Sequence, residues 1–472
     1  MTSTEQLLQH IDEILHPRSV AIVGVPRGMK TGKLFFMALL DQGFSGEIYP
    51  VSPQADEIDG FKAYPSVAAI PGAVDLAIIL VPQHLILSAV RECAAKGVKG
   101  AVLFTAGYKE TGTDEGRAQE EQLVQVARAS GMRLIGPNCM GIYAPRSGLS
   151  FFPQLTREAG PVGLVSHSGS LANILCRAAP QRGIRFSKAI SLGNECDLTS
   201  ADFLLYLGND AETRLIGAYI EGIKDGPRFF DALRTASLKK PVILWKVGLT
   251  SAGAQAAASH TGALAVARDV WEGVVKQTGA VPVVGFEAWF DALMGFALLP
   301  EHLGDRIAIV SGPGGLAVSA AEACADNGLR LAQLSPKTHA SLATVVPPTG
   351  TSLRNPIDVG LTASLEIGIY IQSIQTVVAD PAVDAVVIIG AGLTPEANRL
   401  YTEAVIETRR QSGKAILMVN LPGFDSSYIP QFCDASIPYF ESSERALRTY
   451  ARVRRYQHWR RERRWAEREE IL

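Results

Sequence analysis

The sequence runs to 472 residues, too many for one hydrophobic core, and at 47% hydrophobic against 19% charged it excludes a disordered chain. A formal net charge of −2 gives no electrostatic pull toward nucleic acid or an anionic membrane. Six scattered cysteines with no CxxC pair argue against a zinc site or a disulfide framework and for a reducing compartment.

The opening stretch, MTSTEQLLQHIDEILHP, carries acids and no apolar core, unlike a secretory signal. The longest apolar runs, such as AVVIIGAG from Ala385, have strand length and are too short to cross a bilayer. The expectation is a soluble cytoplasmic protein.

Short β-branched runs then alternate with helix-length amphipathic segments, which predicts α/β domains with parallel sheets. In the first third the predicted strands are SVAIVGV at 19–25, GEIYPVS at 46–52, LAIILVP at 76–82, GAVLFTAG at 100–107 and MRLIGPN at 132–138. A second set comprises GPVGLVSHSGS at 160–170, FSKAISLGN at 186–194, LIGAYIEGI at 215–223, KPVILWKVG at 240–248 and AVPVVG at 280–285. The third contains RIAIVSGPGG at 306–315, LRLAQLS at 329–335, DAVVIIGAG at 384–392, AILMVNLPG at 415–423 and SIPYFES at 436–442. SGPGG echoes SHSGS as a strand running into small residues that open a helix, which suggests two related flavodoxin-like domains. Expected bounds are 1–145 for a Rossmann-like domain, 146–300 and 301–450 for the two flavodoxin-like domains, and 451–472 for a charged helix. That helix, dense in Arg and Glu, reads as solvated or as a docking element for another chain.

Strand ends carry the candidate binding residues. After the first strand, GVPRGMKTGK places Gly24, Pro26, Arg27 and Gly28 before a helix N-terminus, where backbone amides can meet a phosphate. It is neither GxGxxG nor a Walker loop, because position 26 is Pro and Lys33 is followed by Leu34. Companion ends supply Ser52, Val81 and Pro82, Thr105, Ala106 and Gly107, and Asn138. In an open parallel sheet these ends line the ligand crevice, here one suited to an extended phosphate-bearing molecule.

The second set carries the chemistry. AGAQAAASHTGALA at 252–265 is a stretch of small residues, read as a pliable loop, around one imidazole, His260. A neutral imidazole can attack an activated phosphoryl group and pass it on. Such a histidine needs a carboxylate on its other nitrogen, and Glu221 interrupts an apolar run at a strand end. Ser168, Gly169 and Ser170 open a helix whose amides and hydroxyls can hold a phosphoryl anion. His167 is a rival nucleophile whose strand-end position suggests orientation or packing. No metal-ligand cluster is expected.

Together the strings SVAIVGV, GEIYPVSP, TAGYKE, IGPNCMGI, LVSHSGSLA, SLGNECD, YIEGIKDGPRF, ASHTGALA, GPGG and NPIDV resemble the ADP-forming acyl-CoA synthetases, relatives of succinyl-CoA synthetase. The resemblance covers the chain up to its Arg-rich tail. It implies that the first domain binds coenzyme A, that His260 in ASHTGALA is the phosphohistidine, and that Glu221 in YIEG orients it. It implies further that the helix opened by SHSGSLA receives the phosphoryl group. Departures include Gln54 after IYPVSP, His167 in SHSG, and Val266-Ala267-Arg268-Asp269 after HTGALA. No segment resembles the family's ATP-grasp module, so the resemblance implies ADP/ATP and Mg²⁺ on a separate ATP-grasp subunit, in a hetero-oligomer. The implied activity is a ligase that interconverts acyl-CoA, ADP and phosphate with a carboxylic acid, CoA and ATP. A CoA-dependent lyase or acyl transferase, or a non-catalytic CoA-binding regulator, are the alternatives on the same fold.

Overall fold

The structure, a computed structural model, describes residues 2–261, 266–390, 392–421 and 425–469. No helix among the described residues is long and apolar enough to cross a membrane. The chain divides into two compact units, one of Met1–Ala178 with Arg185–Val284, the other of Ala179–Ile184 with Gly285–Leu472.

The first unit holds two parallel sheets. In chain order the first sheet's strands are Ser19–Val23, Glu47–Val51, Leu76–Ile79, Gly100–Leu103 and Arg133–Ile135. Their spatial order is second, first, third, fourth, fifth. Ser19–Val23 is buried along its whole length, as expected where parallel neighbours and helices cover both faces, which is why it reads as an unbroken SVAIV. The order reverses between the first and third strands, and the crevice beyond their carboxyl ends is where such sheets bind ligands.

The second sheet repeats that order with Val162–Ser166, Phe186–Ser191, Leu215–Ile220, Val242–Lys246 and Val281–Val283. One strand is added before them: Gly141–Tyr143 pairs antiparallel with Phe186–Ser191 and covers the sheet's edge. The second sheet therefore draws on residues before position 145. Buried polar contacts join the two sheets. The Asp197 carboxylate accepts from Arg128 Nε at 2.8 Å, Arg133 Nε at 2.7 Å and the Leu134 amide at 2.9 Å. Burial alone would raise this carboxyl, but Arg133 and the other donors hold it below its ordinary value. Gly193, with φ of 55°, lies where a Cβ would stand 2.2 Å from the Pro137 carbonyl oxygen, so the SLGN and GPNC loops can meet only at a glycine.

The second unit has Arg306–Ser311, Arg330–Leu331, Ala385–Ile389, Ala415–Val419 and Tyr439–Phe440 in the same spatial order, with Ile357–Asp358 also paired to Arg306–Ser311. The charged tail is the end of one helix, Ser443–Glu469, that starts before the expected boundary at 451. Its face of Ala446, Leu447, Tyr450, Ala451, Val453 and Tyr456 is buried. The helix packs on Phe286–Leu298 and Gly314–Asp326. So the first half of this helix is core rather than a solvated arm: apolar residues recurring every three or four positions among the arginines make one face hydrophobic. Arg445 reinforces the packing with hydrogen bonds from Nε and an Nη to Asp291 at 2.7 and 2.8 Å.

Candidate active site

Apart from His260, the candidate residues of the first unit lie at the carboxyl ends of its two sheets. Gly24 ends the first strand with φ of 99°, and a Cβ there would stand 3.0 Å from Val81 Cγ1, so the two ends flanking the switch point abut. Gly32, in the first turn of the helix Thr31–Gln42, would clash with the Gly24 carbonyl oxygen at 2.3 Å if it carried a Cβ. A tight loop thus lays a helix N-terminus against the crevice, with Arg27 and Gly28 exposed and nothing within 4 Å of a Cβ built on Gly28. That leaves an open, glycine-built helix N-terminus of the kind that can meet a phosphate.

The other strand ends are partly engaged already. Thr105 Oγ1 donates to the Val81 carbonyl at 2.7 Å, and the Gly107 amide donates to Glu110. Ser52 is buried, Pro82 and Ala106 are exposed, and the Asn138 side chain reaches Asn194 at 3.5 Å. The Thr105 hydroxyl proton and the Gly107 amide are therefore already engaged within the chain.

The second sheet gathers the chemical candidates at its own switch point, between the ends of Val162–Ser166 and Leu215–Ile220. The helix Gly169–Ala178 opens there. Ser168 caps it, its hydroxyl accepting from the Leu171 amide at 3.3 Å. Gly169 and Ser170 then present first-turn amides that no intrahelical carbonyl can reach. Gly169 must be small, because a Cβ would stand 2.6 Å from Met140 Cγ.

His167 is occupied on both ring nitrogens. Its Nδ1 accepts the Glu221 amide at 3.2 Å, and its Nε2 lies 2.8 Å from Glu195 Oε1. With both nitrogens engaged, the ring is a strut with none left for a nucleophile. Burial would raise the Glu195 carboxyl, but His167 and the Ser200 amide at 2.6 Å hold it below its ordinary value. Glu221 is itself buried and hydrogen-bonded to the Tyr219 side chain.

His260 belongs to the helix Ser251–Thr261; its side chain lies outside the described residues, as do Gly262–Ala265. The loop expected from small residues is thus a helix up to Thr261, because alanine, however small, is the strongest helix former. This helix packs beside the turn Lys109–Thr111 of the first sheet's TAGYKE segment. The same turn carries Glu110, which with Glu120 accepts from Asn194 Nδ2. Lys224 closes the network, donating to the Glu195 carbonyl at 2.7 Å. Sequence reading passed over Glu195, Asn194, Tyr219 and Lys246. The signal used for Glu221, a charge ending an apolar strand, applies equally to Lys246 at the end of VILWK.

Three family profiles match in succession: CoA binding domain over 18–145, Succinyl-CoA ligase like flavodoxin domain over 159–296, and Ligase-CoA domain over 307–423. The alpha subunit of acetate–CoA ligase (ADP-forming) II from Pyrococcus furiosus is 36% identical over 92% of this chain and 95% of its own. This chain belongs to the ADP-forming acyl-CoA ligase family. Its fold agrees with that of a family member of known structure. The dinucleotide-forming acetyl-coenzyme A synthetase 1 of Ca. Korarchaeum cryptofilum, in complex with phosphate and ADP, matches with a TM-score of 0.84 at 31% identity, covering 95% of this chain and 97% of that one. The 4-hydroxybutyrate–CoA ligase (ADP-forming) of Nitrosopumilus maritimus is 32% identical over 94% of this chain, which spans only 64% of that longer protein. The chain is thus similar along most of its length to a protein named an alpha subunit, and it is an acid–thiol ligase component.

Proposed function

We propose that this chain is the CoA-binding and phosphohistidine-carrying subunit of an ADP-forming acyl-CoA ligase, acting on a small carboxylic acid. Phosphate attacks the thioester carbonyl, a C–O bond forms and the C–S bond breaks, leaving acyl phosphate and the CoA thiolate. An imidazole nitrogen of His260 then attacks phosphorus. The P–O bond to the acyl group breaks, and the carboxylate departs. Glu221 takes the other ring nitrogen and stabilises its positive character, while the Gly169 and Ser170 amides, with Ser168 as cap, neutralise the phosphoryl oxygens. Gly24, Pro26, Arg27 and Gly28, with Ser52, Val81, Pro82, Thr105, Ala106, Gly107 and Asn138, form the CoA crevice. The segment bearing His260 hands the phosphoryl group to ADP and Mg²⁺ on an ATP-grasp partner in a hetero-oligomer. In reverse, ATP drives thioester formation.

The observation that carries this reading is convergence. Glu221 and the Ser168–Ser170 helix end share one switch point, and the His260 helix, from the neighbouring strand, reaches the first sheet's Lys109–Thr111 turn. A partner is favoured because relatives similar along nearly the whole chain are named alpha subunits. The test incubates the chain and its ATP-grasp partner with radiolabelled ATP. Acid-labile, base-stable label is expected on this chain and is lost in His260→Ala; a His260→Ala protein that still labels and turns over refutes the assignment.

A further inference from the structure

We propose that Lys246 is a positioning residue for the phosphohistidine step, clamping the Glu221 strand end to the root of the helix that carries His260. This rests on the roles of His260 and Glu221 proposed above and extends them to a third side chain.

Lys246 ends the strand Val242–Lys246 opposite Ile220 in the neighbouring strand's register. Its side chain is buried. Nζ donates to the Glu221 carbonyl at 2.9 Å and to the carbonyl of Val247. Gly248 follows with φ of 78°, the left-handed region that suits glycine. A Cβ at Gly248 would stand 3.5 Å from Ala257 Cβ, 3.6 Å from the Glu221 carbonyl oxygen and 3.7 Å from Lys246 Nζ. Helix, strand end and ammonium therefore converge on one glycine. Ala257 precedes His260 by about one helical turn, so what fixes Ala257 sets where the imidazole begins its travel.

An ammonium is a costly choice for a merely structural tie. Burial pushes Lys246 down to about 8, against the opposing pull of Glu221. The folded value lies below the ordinary 10.5, so below about pH 8 the fold must bury a charge and this group costs stability there. The surrounding charges are few. Glu221 faces it from the adjacent strand, where Tyr219 is bonded to that carboxylate and His167 to its amide. The helix brings no charge over 251–257, and Val281–Val283 on the other side brings none. One cation thus sits between two backbone carbonyls and beside the acid proposed to orient the phosphohistidine.

The experiment gives the full chain acetyl-CoA and radiolabelled phosphate and follows the rate of phosphohistidine formation in wild type, His260→Ala, Lys246→Met and Lys246→Arg. Lys246→Met is expected to keep its thermal midpoint within about 4 °C of wild type. It should nonetheless label roughly 10- to 100-fold more slowly. Wild-type labelling should fall as pH rises through about 8, while Lys246→Arg, charged throughout, holds its rate to about pH 9. Lys246→Met labelling at the wild-type rate, or parallel pH profiles for wild type and Lys246→Arg, overturns the proposal. Should Lys246→Met fail to fold, the two pH profiles decide. Label that survives in His260→Ala overturns the underlying phosphohistidine reading instead.

Discussion

The ends of the second and third sheets begin alike and finish differently. In each, a buried serine closes the first strand and donates to the carbonyl two residues on: Ser166 Oγ to Ser168 at 2.8 Å, Ser311 Oγ to Pro313 at 2.9 Å. In each, the next amide bonds the third strand: His167 to Tyr219 at 3.1 Å, Gly312 to Ile389 at 3.2 Å. In each, the helix starts three residues after the serine, at Gly169 and at Gly314. But the second sheet puts His167 and Glu221 at its switch point, whereas the third has Gly312 with the Tyr370 hydroxyl bonded to the Ile389 carbonyl. The third helix N-terminus also faces its own anion: a Cβ on Gly314 would stand 2.3 Å from Asp358 Oδ2. One turn thus serves two ends, one assigned above to the proposed phosphoryl group, the other facing a carboxylate of the same chain.

The largest expected effect tests the chemical half of that contrast. Glu221→Gln keeps the shape but removes the charge, and histidine phosphorylation should fall roughly 100- to 10,000-fold in single-turnover labelling. A residual rate near wild type would leave the second sheet no more chemical than the third.

Next comes stability. Asp197, with no exposed side-chain surface, braces the second sheet against the first, while its nearest counterpart in the other unit, Asp384, pairs with Arg306 and is 21% exposed. Asp197→Ala should cost about 3–5 kcal/mol and Asp384→Ala about 1 kcal/mol, read from denaturant midpoints. The sign of the pH effect follows from the lowered carboxyl. The stabilisation from Asp197 is complete above its unfolded value of 3.8 and is lost as pH falls through the lower folded value. Asp197→Asn should therefore flatten the acid limb of the stability profile, and an unchanged limb would assign acid unfolding to other groups.

The smallest effects compare the two helix ends directly. Ser168→Ala removes a cap, at about 1 kcal/mol, and should also slow phosphoryl transfer. Asp358→Asn removes a charge at a helix N-terminus and should cost about 0.3–1 kcal/mol in thermal unfolding.

Much of this was legible beforehand, for local reasons. Nearly unbroken apolar runs such as SVAIV and AVVII announce parallel strands covered on both faces. Small residues after a buried serine announce a helix start, and ASHTGALA marks His260 whatever surrounds it. Other features depend on partners far along the chain. The run around His260 is a helix because alanine's backbone preference outweighed the looseness its small side chains suggested. The first half of the helix Ser443–Glu469 is core because Phe286–Leu298 and Gly314–Asp326 cover it.

By itself, then, the sequence determined the α/β class, the family and the identity of the chemical candidates, since all three are written in local patterns of burial and in short strings. Only the tertiary structure decided that His167 is a strut, that Asp197 joins two sheets, that Asp358 faces the helix Gly314–Asp326, and that the Lys246 ammonium bonds the Glu221 carbonyl. Each of those facts is a hydrogen bond or close approach between segments tens of residues apart, and no local pattern encodes which donor will find which acceptor.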